Sequence, residues 1–461
     1  MYINPVKIPT INYNNEKFNR ITWYPADTVS FKNHLITYGK LPKGFDIHNI
    51  KELTIHSPGV IESIDTGYLA QVFKYKPAKS SKIYAIKKIW PEHLAKHVTA
   101  NPVQQLRTEA EAYNLIGNNP NIPKFFAYKG DFSGKKDSFA NNYIVMEWVD
   151  GVQTSQNGTY YDLNMINKTK LEKIYNLLHE FDTKGIFHND LWAGNILFTD
   201  KDVNIIDFNR ASFFNPVLNH NSTNLDSFKE RFLWRYFSDV YQKSGENELV
   251  DVYKHTLNLE ISLLNKRAKF LQSKSNDTGT DELKSKANGL KELLKNNQDL
   301  KNYIFKELYT SDLRCGKIYA KYFEFENDEA IESFKRARDV SQTYPEIINN
   351  DNKTINSTIQ IIKMLKNAMN YAKKLKFQES LEIFEKVKQK LNDSNIYTEA
   401  ERKEVYYQKF SKFCDININY LNAEVNGSKQ DAQIILNDNE QFFKETKRIL
   451  PYFYTLKALS L

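Results

Sequence analysis

Apolar residues change their spacing along this chain, and the changes divide it. From Gly59 to Lys88 they fall in short runs, Val60–Ile64, Leu69–Tyr75 and Lys82–Ile89, of the length expected for β-strands. The turn-forming stretch Lys-Pro-Ala-Lys-Ser-Ser, residues 76–81, separates the last two and predicts a hairpin. Helical spacing comes next over Val103–Ile116, where Leu106, Ala110, Tyr113 and Ile116 share a face. Two further strands flank the polar loop Gly130–Asn142, the second being Tyr143–Val149, and a helix over Lys170–Thr183 leads into Gly185-Ile-Phe-His. After about Asn224 strand signals stop. Residues 228–461 read as successive amphipathic helices with polar breaks, and Ser273–Lys284 reads as a loop. Residues 1 to about 57 carry Pro and Gly punctuation without periodicity and read as an extension packed on the β-rich lobe. The pattern predicts an α+β fold, with a small β-rich lobe on a helical one, followed by an all-α region.

Composition narrows the class. The 461 residues are 41% hydrophobic, with 28 Tyr and 29 Phe, which is enough for ordinary cores. The net charge of +8 is spread among intermixed residues of both signs rather than gathered in a basic run, so nucleic acid is not expected as a partner. Cys315 and Cys414 stand far apart without nearby His, which excludes a readable disulfide framework or zinc site. Residues 1–10 lack the apolar core of a signal peptide, and no run approaches the 18 or so apolar residues of a membrane span. A soluble, cytoplasmic protein in a reducing compartment is the expectation.

The candidate chemistry lies in four pieces. Tyr84-Ala85-Ile86-Lys87 lies in a predicted strand, and Glu109 sits on the helix after it. His188-Asn189-Asp190 continues as Leu-Trp-Ala-Gly-Asn195-Ile-Leu-Phe, and Ile205-Ile206-Asp207-Phe208-Asn209 comes later in the chain. Singly each is weak; their order, spacing and strand contexts together resemble the protein-kinase-like superfamily over roughly residues 57–240. The resemblance implies a bilobal kinase fold over 58–245, an N-terminal extension over 1–57 and a helical domain over 246–461.

It also implies roles. Lys87 would reach the phosphates of ATP, with Glu109 holding it extended; Asp207 and Asn195 would bind Mg²⁺ through oxygen; Asp190 would orient the acceptor hydroxyl or take its proton. Gly67, Ala70, Val72, Ala85, Lys87, Met146, Glu147, Trp148 and Val149 would line the nucleotide. Glu111 is the competitor of Glu109. It lies about 200° away around the helix, and Ala112 and Tyr113 on the Glu109 side favour Glu109. His188 would bond backbone near Asp207.

Departures from the family pattern matter as well. Ser63-Ile-Asp-Thr-Gly-Tyr-Leu-Ala-Gln-Val72 keeps one Gly, Gly67, where the phosphate-covering loop has several. Asn189 replaces the Arg before the catalytic Asp, which removes the partner of an activation-segment phosphate. Asn209 replaces Gly, in keeping with the tolerance of Asn for left-handed backbone. No Ala-Pro-Glu comes after Asp207, and Asp226 marks the next helix, so the segment is short.

The catalytic-loop sequence also resembles choline and aminoglycoside kinases, and a scaffold without turnover is a third possibility. Ile83-Tyr-Ala-Ile-Lys87-Lys-Ile and Leu178-His…Gly185-Ile-Phe-His188 resemble protein kinases, and no acidic cluster accompanies the catalytic loop. An atypical serine/threonine protein kinase is therefore expected. In the C-terminal region Ala368, Tyr371, Phe377, Ser380, Phe384 and Val387 weakly resemble a tetratricopeptide helix pair, partly repeated at Ala330, Phe334 and Ala337 with an irregular period. This implies a helical unit that recruits a protein substrate or partner. A kinase with such an attachment suggests a bacterial effector working in a host cell.

Overall fold

The computed structural model describes residues 59–66, 70–77, 81–89, 102–129, 142–153, 162–218, 223–321, 323, 328–348, 352–446 and 449–460, with the short strand Ile36–Thr37. The strands β1 (Ile36–Thr37), β2 (Gly59–Thr66), β3 (Ala70–Pro77), β4 (Tyr84–Ile89), β5 (Phe125–Lys129) and β6 (Tyr143–Glu147) form one antiparallel sheet in the order β1-β5-β6-β4-β3-β2. Strand β1, from the N-terminal extension, sets Ile36 opposite Tyr128 at the sheet edge. The rest of that extension, Gly67 and residues 130–141 of the polar loop lie outside the described residues.

Period-2 alternation gives the sheet two apolar faces. Ala85, Ile89, Ile144 and Met146 pack toward α1 (Pro102–Ile116) and the main core. Tyr75, Tyr84, Ile86, Val145 and Phe126 form a smaller cluster on the other side. Parity therefore places Lys87 on the α1 face, with Val72 and Ile144 as its neighbours across the sheet.

The helical lobe starts with α2 (Lys168–Lys184). Asn167 caps it by accepting from the Lys170 N–H, and Gly185 ends it at φ 72°. A Cβ on Gly185 would stand 2.2 Å from the Phe214 carbonyl oxygen, so this stop requires glycine. Short strands β7 (Val152–Gln153), β8 (Ile186–Phe187), β9 (Ile196–Phe198), β10 (Val203–Ile205) and β11 (Ser212–Phe213) then carry the loops of the site. From Thr223 onward the regular structure among the described residues is helical.

Helix α3 (Thr223–Phe228) passes through a π-helical turn, Lys229–Leu233, into α4 (Trp234–Gln272), which kinks at Gly245 with φ 82°. Beyond the kink the chain returns to the same core: Leu249, Val252, Tyr253 and Leu257 of α4 join Leu300, Ile304, Phe305 and Leu308 of α6 (Asn297–Lys321) there.

Ser273–Lys284, expected as a loop, is helical from Asp277. Helix α5 (Asp277–Lys295) is capped by the Asn276 side chain, which accepts from the Gly279 N–H. Leu257 of α4 packs in the main core, whereas Leu264 and Leu271 pack on Leu283 and Ala287 of α5.

A second core begins at Ala320 and Phe323 and runs to Leu456. Its helices are α7 (Glu329–Thr343), α8 (Lys353–Lys373), α9 (Phe377–Asn392), α10 (Glu399–Arg402), α11 (Val405–Val425), α12 (Lys429–Asp438), α13 (Glu440–Glu445) and α14 (Leu450–Leu459). Helix α7 belongs to both cores, giving Phe334 to the second and Val340 to the first. A buried ion pair, Arg336 Nε to Asp312 Oδ1 at 2.9 Å, ties α7 to α6, and Ser238 Oγ on α4 donates to Asp312 Oδ2 at 2.9 Å. In the α8–α9 pair Phe384 is fully buried, while Tyr371 and Leu375 are exposed. Cys414 is buried and Cys315 partly so, and both thiols are free. Among the described residues no helix is long and apolar enough to cross a membrane.

Candidate active site

Three elements converge on Lys87. Its Nζ lies 2.7 Å from Glu109 Oε2 on α1 and 2.5 Å from Asp207 Oδ1 after β10. Glu111 faces elsewhere and accepts from Arg107 Nε at 2.9 Å. The ring of Phe208, next to Asp207, is fully buried and meets Tyr113 of α1 edge-on at 5.2 Å and Phe181 of α2 at 5.4 Å. Tyr113 thus couples the helix carrying Glu109 to the turn carrying Asp207. Such aromatic pairs contribute about 0.5–1.5 kcal/mol beyond burial.

One ammonium serves two carboxylates, and burial decides how they divide it. Burial acts to raise the Asp207 carboxyl, but the charge and hydrogen bond of Lys87 override it and hold Asp207 below the usual carboxylate range. Glu109 is 1% exposed. Burial pushes its carboxyl up to about 7, Lys87 offsets this only in part, and the negative charge of Asp207 adds to the rise. Glu109 Oε1 is buried without a partner. Burial alone would lower Lys87, but Asp207 and Glu109 together keep its ammonium protonated.

The catalytic loop is held from both sides. His188 Nε2 donates to the Ile206 carbonyl at 3.0 Å, as expected for a residue anchoring backbone beside Asp207. The His188 N–H donates to Asn224 Oδ1, and Asn224 Nδ2 donates to Asp182 and to the Ile186 carbonyl. Burial lowers the His188 imidazole below its ordinary value. Asn195 Nδ2 donates to the Asp190 carbonyl at 2.8 Å, and the Ile206 N–H donates to the Asn195 carbonyl at 3.0 Å. Asn195 and Asp207 are thereby fixed to one another through backbone. With the Asn195 amide nitrogen engaged, its Oδ1 is the atom it can offer a cation.

Left-handed backbone occurs at Asp207, φ 65°, and at Asn189, φ 61°. The expectation for Asn209 thus shifts two residues back: Asn209 lies in the 3₁₀ turn that Asp207 opens. Asn189 donates through Nδ2 to the Arg210 carbonyl at 3.1 Å and to Ser212 Oγ at 2.9 Å, so it ties down the segment after Asp207. The next helix begins at Thr223, slightly before Asp226.

Of the nucleotide-lining candidates, Ala70, Ala85 and Met146 are buried, with Ala85 directly opposite Met146 and Val72 opposite Lys87. The Glu147 side chain is exposed and accepts from the Lys124 N–H at 3.3 Å, and the Glu147 N–H donates to the Lys124 carbonyl at 2.8 Å. Trp148 and Val149 are half-buried beyond it.

Sequence reasoning missed the neighbours of Asp190. Its Oδ1 accepts from Arg231 NH1 at 2.9 Å and is 3.4 Å from Arg210 NH1. Arg210 lies close enough to Asp207 in sequence to have drawn notice; Arg231 carries no local signal.

Lys87 held by a helix glutamate, a left-handed aspartate and an Asp–Asn loop make a phosphotransfer constellation. Residues 59–311 match the protein kinase domain. The chain belongs to the protein kinase domain family. Among curated kinases it is 26% identical over 147 residues to serine/threonine-protein kinase D of Synechocystis, which covers 31% of this chain and 27% of that one. It is 27% identical over 152 residues to CDPK-related kinase 5 of Arabidopsis thaliana, covering 31% of this chain and 24% of the relative. It is 29% identical over 163 residues to the interferon-induced, double-stranded RNA-activated protein kinase of Rattus norvegicus, covering 33% and 31%. The chain therefore spans about a quarter to a third of the length of these relatives. The kinase match reaches residue 311, into α6, while the main core continues past it to Val340 and Ile348.

Proposed function

We propose that the chain is an ATP- and Mg²⁺-dependent serine/threonine protein kinase of atypical type. The observation that carries this reading is Lys87 shared between Glu109 and Asp207, with Asn195 joined to the Asp207 strand through backbone. Lys87 is a buried ammonium donor, kept protonated by Asp207 and Glu109 and suited to phosphate oxygens, and Glu109 fixes its direction. Asp207 and Asn195 supply the oxygen ligands that suit Mg²⁺, and the ion, when bound, offsets the charge on the phosphates. Asp190, steadied by Asn195, orients the acceptor hydroxyl and holds its proton as the phosphoryl group is transferred. The site works by positioning and charge, which is where most of the catalysis of phosphoryl transfer resides.

The helices of the second core form a unit that recruits a protein substrate or partner. Support comes from a separate apolar core and from the exposed Tyr371 and Leu375 on the α8–α9 pair. The test is labelled ATP with Mg²⁺ and a cell lysate, followed by a panel of amino alcohols and aminoglycosides. Labelled protein is expected; label on the small hydroxyl compounds alone would make the chain a small-molecule kinase.

A further inference from the structure

We propose that Arg231, with Arg210 beside it, reads an anionic group on the acceptor, so that the enzyme selects hydroxyls with a carboxylate or phosphate close by. The inference rests on the reading of Asp190 as the residue that orients the acceptor. Both guanidinium groups approach the same oxygen, Asp190 Oδ1, at 2.9 Å and 3.4 Å. Arg210 also acts on Asp207, but Lys87 already pairs with that carboxylate, so the two guanidinium groups leave the acceptor side of Asp190 with a surplus of positive charge.

The surplus is exposed. The side chains of Arg231 and Arg210 are 42% and 49% exposed, whereas that of Asp190 is 11%. An arriving acceptor therefore meets the cations before it meets the carboxylate. Half-exposed ion pairs are weak and exchange readily, so an acceptor anion can take a guanidinium from Asp190. A guanidinium fork suits a carboxylate or phosphate through paired donors. The exchange also frees Asp190 Oδ1 for the acceptor hydroxyl, which couples recognition to readiness.

The charges next to Arg231 on the π-helical turn do not cancel it. Glu230 pairs with Arg314 at 2.8 Å and Lys229 with Glu260 at 3.1 Å. The turn is anchored by Phe232 and Leu233, both essentially fully buried, so Arg231 is held at the site by packing on either side of its pair with Asp190. π turns occur disproportionately at functional sites.

A positional-scanning peptide library with a fixed Ser or Thr tests the proposal on the full chain. Its flanking positions would carry Glu, Gln or phosphoserine in separate arms, with wild type, Arg231→Gln and Arg231→Lys compared. For wild type, kcat/KM should favour an anionic arm on the order of tenfold, mainly through KM, and the Glu and phosphoserine arms show which anion is read. Arg231→Gln should bring that ratio toward one with an unchanged melting temperature, and Arg231→Lys should keep part of it. Equal wild-type use of charged and neutral peptides overturns the inference. So does an equal loss on both in Arg231→Gln, which would mean that Arg231 only positions Asp190. If wild type labels no peptide, the protein-acceptor reading fails instead, and the same comparison on hydroxyl compounds with and without a carboxylate or phosphate decides the inference.

Discussion

Glu109 meets Lys87 at 2.7 Å, while Glu111, two residues on along the same helix, turns away to Arg107. Glu109→Gln should therefore lower phosphotransfer by about 10²-fold, since misplacing a reacting charge by an ångström has effects of that size. Glu111→Gln should stay within about threefold, because it removes only a partly exposed pair on the helix. Steady-state rates of the two variants, measured side by side, check this; a larger loss at Glu111 reverses the assignment.

The same pair sets a pH dependence of stability. The Glu109 carboxyl is raised by burial from an ordinary value of 4.5 to about 7. A raised carboxyl pKa means that the folded protein holds the proton while the unfolded chain releases it. The resulting stability is complete below about pH 4.5, declines as pH rises, and is lost above about pH 7. The ligand-free wild type should thus lose melting temperature relative to Glu109→Gln across that window and run parallel to it above. A difference independent of pH would contradict the burial argument.

The strands, the first helices and the four motif pieces were legible because each rests on local information. Alternation alone places Lys87 on the face that meets α1, and helical spacing alone separates Glu109 from Glu111. What escaped depends on distant packing or cap geometry. The polar run after Ser273 becomes helix because Asn276 caps it and Leu283 and Ala287 find Leu264 and Leu271. Arg231 reaches Asp190 only because a π turn, anchored by Phe232 and Leu233, brings a residue 41 positions away to the site. The left-handed residue is Asp207 rather than Asn209, because the 3₁₀ turn begins at the aspartate.

Asn189 bonds the segment after Asp207 directly through Ser212 and the Arg210 carbonyl. Activity should therefore not require phosphorylation of that segment. Protein treated with phosphatase should keep its rate within about twofold, since no Asn189-centred charge pair is lost. Loss on treatment with recovery on autophosphorylation would refute this.

Where the chain can be shortened depends on its cores. Ending it at Ser275 removes Leu300, Ile304, Phe305 and Leu308 from the main core. At about 1.5–3 kcal/mol each, their loss rivals the 5–15 kcal/mol stability of a typical protein. That fragment should fail to fold. Ending the chain at Asn350 keeps α7, with its Arg336–Asp312 pair and Val340, and should preserve ATP binding by calorimetry while losing lysate partners. A folded fragment ending at Asn350 that retains every partner would place recruitment elsewhere.

Asp207 decides the account. It is the acidic member of the proposed metal pair, it holds Lys87, and it occupies left-handed backbone that asparagine also tolerates, so Asp207→Asn keeps size and conformation while removing the charge. The measurement is transfer of the γ-phosphoryl group from labelled ATP with Mg²⁺, for wild type and Asp207→Asn, with melting curves taken on the same preparations. Wild type should transfer label, and the variant should lose about 10³-fold or more while remaining folded. Equal transfer by a folded Asp207→Asn protein would contradict the assignment of this site as the kinase centre.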